Sequence, residues 1–338
     1  MAEINLYFIL ICSIGLDLLI GDPEFLLHPV ELIGIYIKQT SNFVVNYFAK
    51  NKFVLLCSGF FISFSAIAIS FLVGKFIEIQ IFESNVSFIY SIILLISLSS
   101  CIATKGLISS AKEISNLIKN NSEEGISLLP IKQKVQRIVS RDVSKSNKSD
   151  LLRSATESLT ENSVDGIFGP LFWIFIGSIL LKYSIYYPGP LALGFSYKAI
   201  STLDSMIGYK YGAFKYLGLC SAKIEDYATF LPCRLVVITL PIVSRKITNY
   251  LSIINKVFTE GGKYESPNAG ISEAAFAYIV NIKLGGENLY PDGTSLKPIL
   301  NINGNECNHI AIEEICNLII RLELVWTIFF SFVFLKLN

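Results

Sequence analysis

The sequence predicts an all-α fold: a polytopic integral membrane protein of helices, with cytoplasmic helices and short re-entrant or buried helices between its spans. Three observations carry this. Hydrophobic residues fill 52% of the 338 positions and charged residues only 16%, against roughly 25% charged in soluble domains, and mean hydropathy is +0.54. Two runs, 53–73 and 84–104, hold no charged residue, and each approaches the roughly 20 residues a helix needs to cross hydrocarbon. No long alternation of apolar and polar residues marks a strand. The composition excludes a disordered chain, a collagen-like chain and a soluble coiled coil. A net charge of +1 gives no global basic excess for nucleic acid.

In chain order, the run 4–20 is the first expected span. Asp17 sits near its end, and it lacks the basic start of a cleaved signal peptide. Runs 53–73 and 84–104 follow, and 318–335 closes the set. That last run contains Arg321 and Glu323, which do not share a helix face, so each needs its own partner or the interface. Runs 166–181 and 228–243 contain prolines and only short apolar cores. They read as re-entrant or buried rather than as full spans. Segment 105–153 carries ten basic and five acidic residues, so the positive-inside rule places it in the cytoplasm. The expected layout is one membrane domain over 1–338, in the cell membrane. Its cytoplasmic segments are 21–52, 105–165, 190–227 and 245–316. Within 105–121, Leu107, Ala111, Ile114 and Ile118 share a helical face. Residues 140–150 read as a polar linker, 151–162 as helix, 183–195 as a Pro/Gly break, and 259–272 and 284–305 as loops. No internal repeat appears.

Seven cysteines form no CxxC pair, and only His28 and His309 are histidines, so neither a disulfide framework nor a zinc ribbon is expected. Polar clusters are more informative. Glu157, Glu161 and Asp165 repeat at i, i+4 and i+8 and line one helix face. Like charges at that spacing repel, so Mg²⁺, basic side chains or a proton must compensate unless the face is simply solvated. Asp204 lies in a second cluster with Lys198, Tyr209 and Lys210, which suits phosphate and its metal or a plain ion pair. Arg234 abuts an apolar run and needs a carboxylate, a phosphate or headgroups. Ser266, Asn268 and Glu273 mark a tight turn opening a helix, and Asp22 with His28 belongs to a fifth cluster near the N-terminus. No phosphate-binding glycine loop and no GxSxG elbow is present.

In order along the chain, these clusters resemble one family. The matching stretches are LDLLIGDPEFLLHPVELIG, RIVSRDV, ESLTENSVDGIFGPLFW, YKAISTLDSMIGYKY, KYLGLCSAKIEDYATFLPCRL and SPNAGISEAAFAYIVNIKLGGENLY. The chain resembles the membrane-bound adenosylcobinamide-phosphate synthases, the CobD/CbiB family of cobalamin biosynthesis. It departs from the family pattern at Ser140 and Val143, Gly169, Cys233, and Ile271 with Ser272. The resemblance implies an amide ligase that joins adenosylcobyric acid to (R)-1-amino-2-propanol or its O-phosphate, giving adenosylcobinamide or its phosphate. Amide formation from a free carboxylate needs activation, for which ATP with Mg²⁺ is the expected source, through an acyl phosphate.

With that reaction, the expected catalytic residues are Glu157, Glu161, Asp165 and Asp204, with Glu157, Glu161 and Asp204 as metal ligands. Expected substrate and phosphate contacts are Arg141, Asn162, Lys198, Tyr209, Lys210, Arg234, Ser266, Asn268, Glu273, Asp22 and His28. The expected partners are the two substrates, the lipid bilayer and other late cobalamin-pathway membrane enzymes, with no nucleic acid. The substrates are cytoplasmic, so the site should face the cytoplasm. Two other readings share the intramembrane charges: a transporter of a corrinoid or small anionic solute, and a non-catalytic membrane regulator.

Overall fold

The computed structural model describes residues 2–21, 29–83, 87–120, 128–290 and 293–337. Helices α1 (Ala2–Leu19), α2 (Pro29–Phe48), α3 (Lys52–Glu83), α4 (Ser87–Ser99), α5 (Thr104–Asn120) and α6 (Leu129–Gln136) come first. Helix α7 (Lys148–Ser163) runs through a π-turn at Val164–Phe168 into α8 (Gly169–Tyr183). Then come α9 (Pro190–Ile207), α10 (Phe214–Leu217), α11 (Leu219–Val243), α12 (Tyr250–Gly261) and α13 (Ala269–Val280). A hairpin of β1 (Leu284–Tyr290) and β2 (Gly293–Leu300) precedes α14 (His309–Lys336).

Five described stretches are long and apolar enough to cross a membrane: Lys52–Gln80, Phe88–Asn120, Lys148–Tyr183, Leu219–Val243 and His309–Lys336. The chain is a polytopic helical membrane protein. Two of these stretches absorb segments that look short in the sequence. Residues 166–181 end a 36-residue helical stretch that begins at Lys148, and 228–243 end α11. The π-turn allows the first continuation. It falls at Asp165 and Gly166, and the Gly166 carbonyl accepts the Ala103 N–H at 3.0 Å.

The chain divides into two compact units. The first comprises Met1–Lys105, Asp165–Thr229 and Thr327–Asn338; the second comprises Gly106–Val164 and Phe230–Trp326. In the first, α3 packs on α9 and α9 on α8, with α2 against both α3 and α9. Ile37, Leu55, Ile62, Leu203, Ile207 and Leu217 form a core there. Phe60, Phe61, Phe64, Leu72 and Phe76 of α3 are exposed, an apolar face suited to lipid rather than water.

Two buried acids organise this unit by capping helices. Asp17 accepts the Thr104 N–H at 2.9 Å, the start of α5. Glu78 accepts the N–H groups of Leu191 and Ala192 at 2.7 and 3.1 Å, the first turn of α9. A helix start leaves those donors orphaned and carries partial positive charge, so a carboxylate there is doubly favoured. Lys75, one turn earlier on α3, donates to the carbonyls of Ile185 and Tyr187 at 2.5 Å. The loop entering α9 is thus tied to α3 by both signs of charge. Gly189 is required at its apex, because a Cβ there would sit 2.4 Å from the Glu78 carboxylate.

In the second unit, α7 starts with a reciprocal capping box between Asn147 and Asp150. Helix α13 packs on α7 and α12, and the hairpin packs on α7 and α13. Leu284–Tyr290 and Gly293–Leu300, within the stretch 284–305 that reads as loop in the sequence, form antiparallel strands with a bulge between Leu284 and Gly286. The bulge hides the strand pattern: Gly285 and Gly286 have φ of 84° and 99°, and much of β2 is exposed.

Glu78→Ala should lower stability in detergent by about 3 kcal/mol, because it strands Lys75 and two helix donors. Gly189→Ala should destabilise through the same contact, and thermal unfolding of both variants checks the pairing.

Candidate active site

The second unit gathers a buried acid–base cluster. Glu157 on α7 is fully buried. Its Oε2 lies 2.7 Å from the Arg141 guanidinium and its Oε1 3.4 Å from that of Arg153. Oε1 also accepts the Gly285 N–H at 2.8 Å. Arg141 reaches in from the segment before α7 and donates to Asn288 Oδ1 at 2.7 Å. Arg153 donates to the same Oδ1 at 3.1 Å and to the carbonyls of Gly285 and Glu287 at 2.7 and 2.8 Å. One carboxylate thus fastens α7, the preceding segment and β1. The positive φ of Gly285 turns its N–H toward Glu157, and a Cβ there would meet the Pro298 carbonyl at 2.1 Å.

Glu273 on α13 is the second buried carboxylate. Its Oε1 accepts from Lys297 Nζ of β2 at 3.1 Å, and its Oε2 accepts from the Tyr264 hydroxyl at 3.1 Å. The Lys297 ammonium lies 5.0 Å from the Tyr264 ring centroid, within cation–π range. Burial, together with the neighbouring charges of Glu157 and Glu161, pushes Glu273 up from 4.5 to about 8, against the opposing pull of Lys297. Burial alone would lower the Lys297 pKa; Glu273, Glu161 and Glu157 outweigh it and raise the value. Burial, with Glu273 and Glu157, raises Tyr264, so it remains a proton donor.

The SPNAG turn stands beside α11. Arg234 donates to Asn268 Oδ1 at 2.5 Å and to the Pro267 carbonyl at 2.8 Å, and it stacks 3.7 Å from the Phe230 ring. Ser266 Oγ accepts the N–H groups of Asn268 and Ala269 at 3.3 Å, which closes the turn. Arg234 and Asn268 therefore hold each other.

The structure brings Arg141, Glu157, Glu161 and Glu273 into one electrostatic group. Asn162 is exposed and donates to Ser158 Oγ at 2.9 Å. Asp165, Lys198, Asp204, Tyr209 and Lys210 belong to the first unit. There Asp165 lies in the π-turn, Lys198 and Asp204 lie on α9, and Tyr209 makes a tilted ring contact with Tyr211 and an edge-on one with Phe214 beyond it. Asp22 and His28 lie outside the described residues. Sequence reasoning missed Arg153, Tyr264, Asn288 and Lys297. Arg153 was visible one turn before Glu157. The other three lie in stretches read as loop or turn.

These residues do not fit a metal held by the protein alone. Among the described residues, no three His, Cys, Asp or Glu side chains converge as metal ligands, and two guanidiniums already neutralise Glu157. The cluster suits proton transfer and the binding of a carboxylate or phosphate.

Long apolar helices and a buried acid–base cluster define a polytopic membrane protein equipped for polar chemistry. The chain belongs to the CobD/CbiB protein family, whose model matches residues 10–319. Three relatives carry the name "Cobalamin biosynthesis protein CobD". The one from Synechocystis is 36% identical, over 84% of this chain and 79% of its own. That of Leptospira interrogans serovar copenhageni is 33% identical over 94% of both chains. That of Clostridium acetobutylicum is 30% identical over 95% of this chain and 96% of its own. No solved structure matches the chain.

Arg141→Ala should destabilise by about 3–5 kcal/mol, because it leaves a buried carboxylate short of its cation. Adding Glu157→Gln should recover part of that loss, and a double-mutant unfolding cycle reads the coupling. A second expectation concerns pH. Folded Glu273 holds its proton from about 4.5 to about 8 while the unfolded chain releases it. Stability should therefore fall as pH rises through that window. Glu273→Gln should flatten this slope in unfolding curves taken at successive pH values.

Proposed function

We propose that this chain is the amide-forming ligase of late cobalamin biosynthesis. In this reading it joins a carboxylate of adenosylcobyric acid to (R)-1-amino-2-propanol or its O-phosphate. The product is adenosylcobinamide or its phosphate. The observation that carries the reading is the buried Glu273–Lys297–Tyr264 group beside Glu157 and Glu161, in a chain whose relatives are named for cobalamin biosynthesis.

Amide formation has three needs that side chains can meet. The amine arrives as an ammonium and must lose a proton; the half-buried Glu161 attracts the cation, and Glu273, once ionised as the pH rises toward about 8, takes the proton. The acid substrate brings negative charge, which Lys297 offsets. Water must be kept out, and burial around Glu273 supports this. When bound, ATP with Mg²⁺ would supply the activation of the carboxyl group, releasing ADP and phosphate as the amide forms, with the metal held by the nucleotide's phosphates rather than by a set of protein ligands. For Asp165, Asp204, Lys198, Tyr209, Lys210, Asp22 and His28, a binding or catalytic role rests on the family resemblance. The site faces the cytoplasm of the cell membrane, in keeping with the basic segment 105–153.

The test uses the full chain in membranes with adenosylcobyric acid, aminopropanol phosphate, Mg²⁺ and ATP, read by mass spectrometry. A product heavier by aminopropanol phosphate less water, lost without ATP, is the expected result. Formation without ATP would remove the activation scheme and keep the ligase. Glu273→Gln should cut turnover by about 10²-fold or more, the usual weight of a general base, and unchanged turnover would refute that role.

A further inference from the structure

Helix α11, one of the membrane-crossing candidates, ends at Val243. Arg245 then takes a left-handed turn, φ 61°. A short 3₁₀ turn, Ile247–Asn249, leads into α12. Across these two elements Ile247, Leu251, Ile254 and Phe258 recur at spacings of four, three and four, so they form one stripe along the helix. Leu251 is 79% exposed and Ile247 62%, with Phe258 also exposed and Ile254 half-buried. A different face, Ile253, Val257 and Gly261, is buried and packs on α13. Thr248, Asn249, Ser252, Asn255, Lys256 and Thr259 make up the exposed polar side. The helix therefore has an apolar stripe that the fold does not bury, although its inner face is already satisfied.

We infer that α12 lies in the membrane interface, with Ile247, Leu251, Ile254 and Phe258 set among the lipid acyl chains and Arg245, Lys246 and Lys256 near anionic headgroups. Two features favour lipid over another occupant. The stripe begins four residues after a membrane-crossing candidate whose own Ile238 and Ile242 are exposed, so it continues an apolar surface already suited to lipid. Basic residues flank and punctuate it, as in helices that lie in the interface of anionic membranes. Lys246 also donates to the Ile279 carbonyl at 2.5 Å, which ties the entrance of α12 to the end of α13.

The placement sets the depth of α13. Gly261 and Gly270 allow α12 and α13 to approach closely, since a Cβ on Gly261 would sit 2.5 Å from the Gly270 carbonyl. Tyr264, three residues beyond α12, donates to Glu273. A helix floating at headgroup level would thus hold Glu273 at a fixed height near the interface. This inference is independent of the reaction assigned above.

The experiment reconstitutes the full chain in nanodiscs holding either one copy or two, in lipid with a fraction of phosphatidylglycerol. Leu251→Trp and Asn255→Trp are compared after subtraction of the wild-type signal, which contains Trp173 and Trp326. Lipids brominated near the headgroup end of the chain, or deep in it, act as quenchers. The expected result is blue-shifted emission at Leu251→Trp, quenched severalfold more than Asn255→Trp and more by the shallow bromines than by the deep ones. Equal and weak quenching at both positions would overturn the inference. Blue-shifted emission that bromine does not quench, and that turns red when discs hold one copy instead of two, would assign the stripe to a second copy of the chain and also overturn it.

Discussion

A carboxylate shut away from water must be neutralised where it stands, and in this chain that requirement falls first on Glu157. Transfer of an isolated charge into a poorly polarisable interior costs more than a small domain's whole stability. The second unit meets this with two arginines and a backbone N–H, each from a different element: the segment before α7, α7 itself, and β1. The hairpin is therefore more than a surface excursion. Its bulge delivers the Gly285 N–H, its Asn288 accepts from both arginines, and its second strand carries Lys297 to Glu273.

The first unit obeys the same constraint with different partners. Asp17 and Glu78 are compensated mainly by helix N-termini, and Glu78 also by Lys75 at 3.7 Å. With few charges in the composition, those that enter the interior are used to join elements distant in sequence. Asp17 and Thr104 are 87 positions apart, and Glu78 and Leu191 are 113. The glycines follow from these joints. Gly189 leaves room for the Glu78 carboxylate, and Gly74 leaves room for the backbone of Ala192 at the α3–α9 crossing.

The apolar runs 53–73, 84–104 and 318–335 and the Glu157–Glu161 pair of α7 were legible because hydropathy and i, i+4 spacing survive in any context, whereas 4–20 falls in a shorter apolar helix and 166–181 and 228–243 end longer helical stretches than their apolar cores suggest. Glu157, Glu161 and Glu273 were found through spacing and through a turn that opens a helix. Their compensation was harder to see. Arg141 and Arg234 read alike as phosphate ligands, yet one closes on Glu157 and the other on the SPNAG turn. Charge type is written in the sequence, whereas the choice between an internal partner and a ligand depends on which loop returns to it. The hairpin stayed hidden because Gly285 and Gly286 break the period-two pattern and β2 exposes residues on both faces. Lys297 and Tyr264 were hidden with it, since their importance comes from proximity to Glu273 across 24 and 9 positions.

In the ligase reading proposed above, the balance of charge around Glu273 is what would let the cluster serve an anion. Arg141, Arg153 and Lys297 face Glu157, Glu161 and Glu273, so the group is neutral overall when every member is ionised. With Glu273 protonated the same group carries one net positive charge, and the Lys297 ammonium is released from its strongest partner. Burial favours that protonated form up to about pH 8. A carboxylate or phosphate entering near Lys297 therefore meets a net cation, not a finished ion pair, and its own charge then lowers the affinity of Lys297 for Glu273. An amine entering the same group meets the opposite pull from Glu161 and, once it is ionised, from Glu273. One buried proton thus separates the conditions under which the cluster attracts an acid from those under which it can deprotonate a base.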